Sequence, residues 1–136
     1  MTEFVAQAAM GRTVRGQALV ASDGFSARYD LDRIAGVFSR PEHKLFGRSF
    51  VGMVLILDRA KGGVATAWML HEMAARGVVP AGLVFNTVNP IMVQGAALAD
   101  ATMMSGFQVD ITKAVPDGAL VEVDAEATPP VLRLIG

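Results

Sequence analysis

Apolar positions run without a break through Gly52-Met53-Val54-Leu55-Ile56-Leu57, the pattern of a strand covered on both faces, and stop at the charged turn Asp58-Arg59-Ala60-Lys61. After Gly62-Gly63 the period changes. At about 100° per residue, Thr66, Met69, Leu70, Met73 and Gly77 share one stripe, while Val64, Trp68, His71 and Ala75 share the opposite one. This predicts a helix to about Arg76, with Gly77 as its C′ residue. Trp68, on the outer stripe, reads equally as packing under a loop or as a subunit contact. A second apolar run, Ala81-Gly82-Leu83-Val84-Phe85, completes a β-α-β unit over residues 52–85, parallel and right-handed by the general rule. Asn89 as N-cap and Pro90 at N1 then open a second helix to about Asp100, and its small residues Gly95, Ala96, Ala97 and Ala99 suit close approach to a sheet.

Outside this unit, Gly16–Ala21 predicts a first strand closed by Ser22-Asp23-Gly24, where the glycine is expected to supply a positive φ. Thr102-Met103-Met104 predicts a short strand. In the tail, residues 119–124 and 131–135 alternate apolar and polar around a Pro-containing loop, which predicts an antiparallel pair with one wet face. Residues 1–10 carry little pattern and read as a loosely held lead-in, leaving 11–136 as one domain. From Phe25 to Gly47 the periodicity is poor and the charge dense (Arg28, Asp30, Asp32, Arg33, Arg40, Glu42, His43, Lys44). A long irregular segment in a compact domain is more often functional than not.

Composition narrows the classes. At 136 residues the chain is long enough to bury roughly two thirds of its unfolded surface. Its 52% hydrophobic content comes with no apolar run near the roughly 18 residues that span a bilayer. A net charge of −1 gives no bulk reason to bind nucleic acid or anionic lipid. The N-terminus lacks the basic and apolar regions of a signal peptide, so the expected location is cytoplasmic, with no nucleic-acid or membrane partner. The absence of cysteine excludes thiolate catalysis and any cluster ligated by cysteines of this chain.

No complete catalytic motif is present. Lys61-Gly62-Gly63 beside a helix start is a geometry suited to anionic groups, but it matches neither the P-loop nor the dinucleotide fingerprint. His43 and His71 lack metal-ligand spacing, and no metal site is expected; His71 reads as a solvated surface residue. Phe25-Ser26-Ala27-Arg28-Tyr29-Asp30 places a hydroxyl, a guanidinium and a phenol just after a strand and turn. Arg28 is suited to clamping a carboxylate, and Ser26 to accepting a proton if its neighbours lower its pKa, although serine is also an ordinary turn residue. Asn86 and Asn89 flank the end of a parallel strand, where α/β sheets hold ligands, although capping alone explains Asn89.

Taken together, Leu19–Ser22 with Phe25–Asp30, Glu42-His43-Lys44-Leu45-Phe46-Gly47-Arg48-Ser49, the 52–57 strand, Gly95-Ala96 and Val121–Asp124 resemble the small subunit, or swivelling domain, of the aconitase X family over residues 11–136. The resemblance implies a swivelling β/β/α domain with a mainly parallel central sheet and a C-terminal antiparallel strand pair. It also implies a hydro-lyase active only with a large subunit that carries an iron–sulfur cluster, none being bound by this chain. A small hydroxy-acid or imino-acid substrate would sit at the interface. Many members have a Gly-Ser-Ser-type loop where this chain has Lys61-Gly62-Gly63-Val64-Ala65-Thr66, which leaves Ser26 or Thr66, or a residue of the partner, as the hydroxyl base and Lys61 as a carboxylate contact. Arg28, Tyr29, Gly62, Gly63, Asn86 and Asn89 complete the expected substrate contacts. The Lys-Gly-Gly loop and Asn86–Pro90 look more like the branch that dehydrates cis-3-hydroxy-L-proline to Δ1-pyrroline-2-carboxylate than like the phosphomevalonate branch. A non-catalytic scaffolding module and an anion-binding domain for phosphorylated substrates are the other readings.

Overall fold

The computed structural model describes residues 2–27, 29–60 and 64–135, with side chains omitted at helical positions 64–67, 91, 92, 95 and 98. In chain order the elements are β1 (Thr2–Val5), β2 (Ala8–Met10), β3 (Val14–Val20), β4 (Gly24–Phe25), β5 (Leu31–Asp32), β6 (Val37–Phe38), β7 (Val54–Ala60), α1 (Val64–Arg76), β8 (Gly82–Thr87), α2 (Pro90–Leu98), β9 (Met103–Ser105), α3 (Ile111–Ala114), β10 (Leu120–Asp124) and β11 (Val131–Leu134).

The centre is parallel. β3, β7, β8 and β9 lie side by side, with Leu19 opposite Leu55, Ile56 opposite Val84 and Val84 opposite Met104. The predicted β-α-β unit is therefore β7–α1–β8. Successive residues of β7 face opposite ways: Leu55 and Leu57 join Leu83, Phe85, Leu70, Met73 and Ala96 in one core, while Val54 and Ile56 join Val84, Val121, Val123 and Leu132 in another. An unbroken apolar strand is the sequence signature of this burial on both faces. α1 and α2 pack together over the first core, and the antiparallel β10–β11 pair covers the second. The result is the three-layered β/β/α arrangement.

The helix ends follow from local chemistry. Gly77, at φ 73°, closes α1: its N–H donates to the Ala74 carbonyl at 3.2 Å, and that of Val78 to Met73 at 3.1 Å, a Schellman pair. α2 stops at Leu98, short of the expected Asp100, because Asp100 takes the left-handed cap conformation (φ 54°) and Ala101 bonds back to Ala96.

Two expectations fail. Gly24 is not a positive-φ turn residue; it pairs with β7, opposite Arg59. The lead-in is not loose either. β1 pairs with β11 and β2 with β9, at the two ends of the strand order β1-β11-β10-β3-β7-β8-β9-β2. Only Ala6 and Gln7 separate β1 from β2, so the sheet curls until its two ends meet at this segment. Ala6 N–H donates to the Pro130 carbonyl, and Gln7 N–H to those of Ser105 and Gly106. Among the described residues, no helix is long and apolar enough to cross a membrane.

Candidate active site at the C-terminal ends of the parallel strands

The two-residue strand β4 lies parallel to the last residues of β7, Gly24 opposite Arg59 and Phe25 opposite Ala60, and Ser26 follows immediately. This sets Ser26 at the carboxyl edge of the parallel sheet, where α/β folds place ligands. Ser26 opens a tight turn. Its N–H donates to Asp30 Oδ2 at 2.9 Å, its carbonyl accepts the Asp30 N–H at 2.9 Å, and its Oγ accepts the Tyr29 N–H at 3.4 Å. Ser26 is 6% exposed, whereas Tyr29, expected beside it, is 67% exposed.

Behind this turn sits a buried polar cluster contributed by the charged segment. Asp30 Oδ1 accepts Arg40 Nε at 2.6 Å. His43, its side chain fully covered, stacks on Phe38 with centroids 4.6 Å apart. Its Nε2 lies 2.8 Å from the Gly24 carbonyl, and its Nδ1 accepts the Leu45 N–H at 3.0 Å. Asp23 Oδ2 and Asp30 Oδ2 lie 3.8 Å and 3.9 Å from Nε2. Burial by itself would raise the Asp23 pKa, but the Lys44 and Gly24 N–H groups, with the charge of Arg40, more than offset it and hold the carboxyl below its ordinary value. The hydrogen bond to Asp30 raises the pKa of Arg40. Asp23 reads in the sequence as a turn residue, and Asp30, Arg40 and His43 stand out mainly as part of a dense run of charge.

A second network occupies the same edge, around Asn86. Its amide donates to Asp58 Oδ1 and Asp110 Oδ1, both at 2.9 Å, while its Oδ1 accepts the Ile111 N–H at 2.9 Å. Asn86 thus ties β8 to β7 and to the start of α3, a use of every polar group that competes with substrate binding. Asp110 caps α3 and also accepts the Thr112 hydroxyl at 2.6 Å, and Thr112 in turn meets Ser22 at 2.9 Å. The Thr112 hydroxyl and the Asn86 amide hold Asp110 below its ordinary pKa, despite some desolvation. Asn89 takes the predicted cap place ahead of Pro90, its carbonyl accepting the Val93 N–H at 3.2 Å.

Of the other expected site residues, Arg28, Lys61, Gly62 and Gly63 lie outside the described residues, and Thr66 is described only as backbone within α1. The structure therefore brings Ser26, Tyr29 and Asn86 to one edge, with Asn89 at the head of the neighbouring helix. Trp68 is 62% exposed and meets His71 edge-on at 6.2 Å, in keeping with the outer stripe of α1. The chain has no cysteine. Among the described residues no group of three or more His, Asp or Glu side chains is placed to hold a metal, so this residue set does not fit an iron–sulfur cluster.

Comparison with known proteins agrees with this architecture. The phosphomevalonate dehydratase small subunit of Methanothrix thermoacetophila is 33% identical over 115 residues, covering 85% of this chain and 83% of that protein. Its counterpart from Methanopyrus kandleri is 32% identical, covering 81% and 82%. Among solved structures, aconitase X of Thermococcus kodakaraensis in its holo-form superposes with a TM-score of 0.90 at 20% identity, over all of both chains, which establishes a shared fold. The family model of the aconitase X swivel domain matches residues 3–129, from the middle of β1 to the loop before β11, and so takes in both cores and the whole Ser26 edge. The chain belongs to the aconitase X swivel-domain family.

Proposed function

We propose that this chain is the small subunit of a two-subunit dehydratase and that Ser26 receives the proton removed from its substrate. The observation that carries the reading is the placement of Ser26: a hydroxyl at the carboxyl edge of the parallel strands, on a turn fixed through a buried carboxylate. Dehydration of a β-hydroxy acid needs a base for the proton α to the carboxylate, a cation for the carboxylate, and assistance to the leaving hydroxyl. The proton passes from the α-carbon to Ser26 Oγ in its alkoxide form, and the hydroxyl leaves the β-carbon with its bonding pair. Of the described cations beside the turn, Arg40 is paired with Asp30, Arg33 donates to the Ala27 carbonyl at 3.3 Å, and Arg59, opposite Gly24, lies 3.9 Å from Asp58. In this reading the substrate charge meets Arg28 and Lys61. The iron–sulfur cluster implied by the family resemblance belongs in this reading to the large subunit, because this sequence supplies no thiolate.

For the substrate, the named relatives support phosphomevalonate over cis-3-hydroxy-L-proline. The opposite expectation rests in large part on a loop whose residues 61–63 lie outside the described set. The test is reconstitution with the large subunit from the same source, assayed with both compounds. The expected result is an inactive isolated chain, dehydration of phosphomevalonate by the complex, and a loss of kcat of at least about 100-fold on Ser26→Ala. Turnover by the isolated chain, or a complex inert towards both compounds, refutes the dehydratase-subunit reading. Turnover of hydroxyproline alone overturns only the substrate.

A further inference from the structure

We propose that His43 and Asp30 are positioning residues that clamp Gly24–Ser26 from both ends and so fix Ser26 relative to the end of β7. The inference rests on the reading that Ser26 receives the substrate proton. β4 has only two residues, and the Asp58 N–H donating to the Asp23 carbonyl at 2.9 Å ties its start to β7. Side chains add to this hold at both ends. The Gly24 carbonyl only accepts, so His43 Nε2 is the protonated nitrogen and donates to it at 2.8 Å, while Nδ1, accepting from Leu45, is the bare one. At the far end Asp30 accepts the Ser26 N–H, and Arg40 holds the carboxylate from its other oxygen. The groups facing the His43 ring are thus Asp23, Asp30 and the Gly24 carbonyl at Nε2, the Leu45 N–H at Nδ1, and Phe38 on the ring face.

The neutral Nε2–H tautomer satisfies both ring nitrogens, and protonation would put a second N–H against the Leu45 donor. A buried ionic cluster is no better for stability than apolar packing of the same volume. Its distinguishing product here is the position of three backbone residues, the last of which is Ser26. A displacement of about 1 Å at a reacting group is worth about 100-fold in rate.

The test uses the reconstituted two-subunit enzyme with His43→Leu, His43→Gln and Asp30→Ala. The glutamine amide reaches the place of Nε2 and can donate to Gly24; leucine cannot. The expected result for His43→Leu is a fall in kcat of at least about tenfold with KM within about twofold, and for His43→Gln recovery to within about threefold of the parent. Two measurements on the full chain are independent of turnover. Nitrogen-15 NMR should show one protonated and one bare ring nitrogen at His43, and the Ser26 amide should lose exchange protection in His43→Leu and in Asp30→Ala. Equal kcat for the Leu and Gln variants, or unchanged Ser26 protection in Asp30→Ala, overturns the clamp. If His43→Leu does not fold, Asp30→Ala and the ring nitrogens of the parent decide it. A Ser26→Ala complex that keeps full turnover removes the proton-acceptor reading alone, and the clamp is then judged by exchange protection.

Discussion

Asn86, well placed for a substrate contact, has its carboxamide engaged in the architecture of the strand ends. Its carboxamide bonds Asp58, Asp110 and the Ile111 N–H, three groups from β7 and the head of α3. Removing it strands a helix-terminal N–H and takes a donor from two carboxylates, a loss of about 1–2 kcal/mol. Asn86→Ala is therefore expected to shift the urea midpoint by that amount while kcat per folded complex stays within about twofold. A large fall in kcat with no change in the midpoint would return Asn86 to the substrate site. Its place at a strand end is legible in the sequence; its partners are not, because Asp110 and Ile111 reach it only through the fold. The same holds for His43, which reads as an isolated histidine without metal-ligand spacing, while its acceptor Gly24 lies 19 residues earlier. Ser26 and Asn89 were legible because their roles arise within a few neighbouring residues, a turn in one case and a helix start in the other.

At the scale of elements, the antiparallel layer carries a ladder of alternating charge. Glu3 on β1, Arg133 on β11, Glu122 on β10 and Arg15 on β3 are direct cross-strand partners. Arg133 reaches Glu3 at 2.7 Å, Glu122 at 2.9 Å and Asp124 at 2.7 Å, and Arg15 reaches Glu122 at 2.6 Å. The hydrogen bond from Arg133, then that from Thr13, lowers the Asp124 pKa below its reference of 3.8. The Arg15 bond, against some desolvation and with help from Arg133, lowers Glu122 below 4.5. A carboxyl whose folded value lies below its unfolded one stabilises fully above the unfolded value and loses that effect as pH falls through the folded value. The melting temperature of Arg133→Met should thus lie below that of the parent at pH 6. The gap should narrow as pH drops below the ordinary carboxylate range. It should also shrink in molar salt. A gap independent of pH would assign the loss to packing of the arginine stem. The strands of this layer were only partly readable. β10 alternates clearly and β11 only around Arg133, but β1 is an edge strand with three of four residues exposed, and β4, β5, β6 and α3 are too short for any periodicity to register.

The molecule as a whole is closed by its first residues. Ala6 and Gln7 join β1, at one end of the strand order, to β2, at the other, and a link of three Cα steps spans at most about 11 Å. Both sheet ends are therefore covered by one continuous segment. Its fit is close at Gly106, where φ is 85° and a side-chain carbon added to the glycine would stand only 2.8 Å from Gln7 Cβ. The closure is made by backbone, with the Gln7 N–H donating at 3.2 Å and 2.8 Å to Ser105 and Gly106, while the residue itself is exposed. A change confined to the side chain should cost little, so Gln7→Ala is expected within about 0.5 kcal/mol of the parent. Gln7→Pro removes the donor, leaves two carbonyls without it and constrains Ala6, and is expected to cost about 3 kcal/mol or more. It should also bare the β9 and β11 edges, which offer unpaired N–H and C=O groups to other chains. Chemical denaturation with light scattering separates the two variants. A proline variant as stable and monodisperse as the alanine one would show that the curled sheet holds its ends together without the Ala6–Gln7 segment.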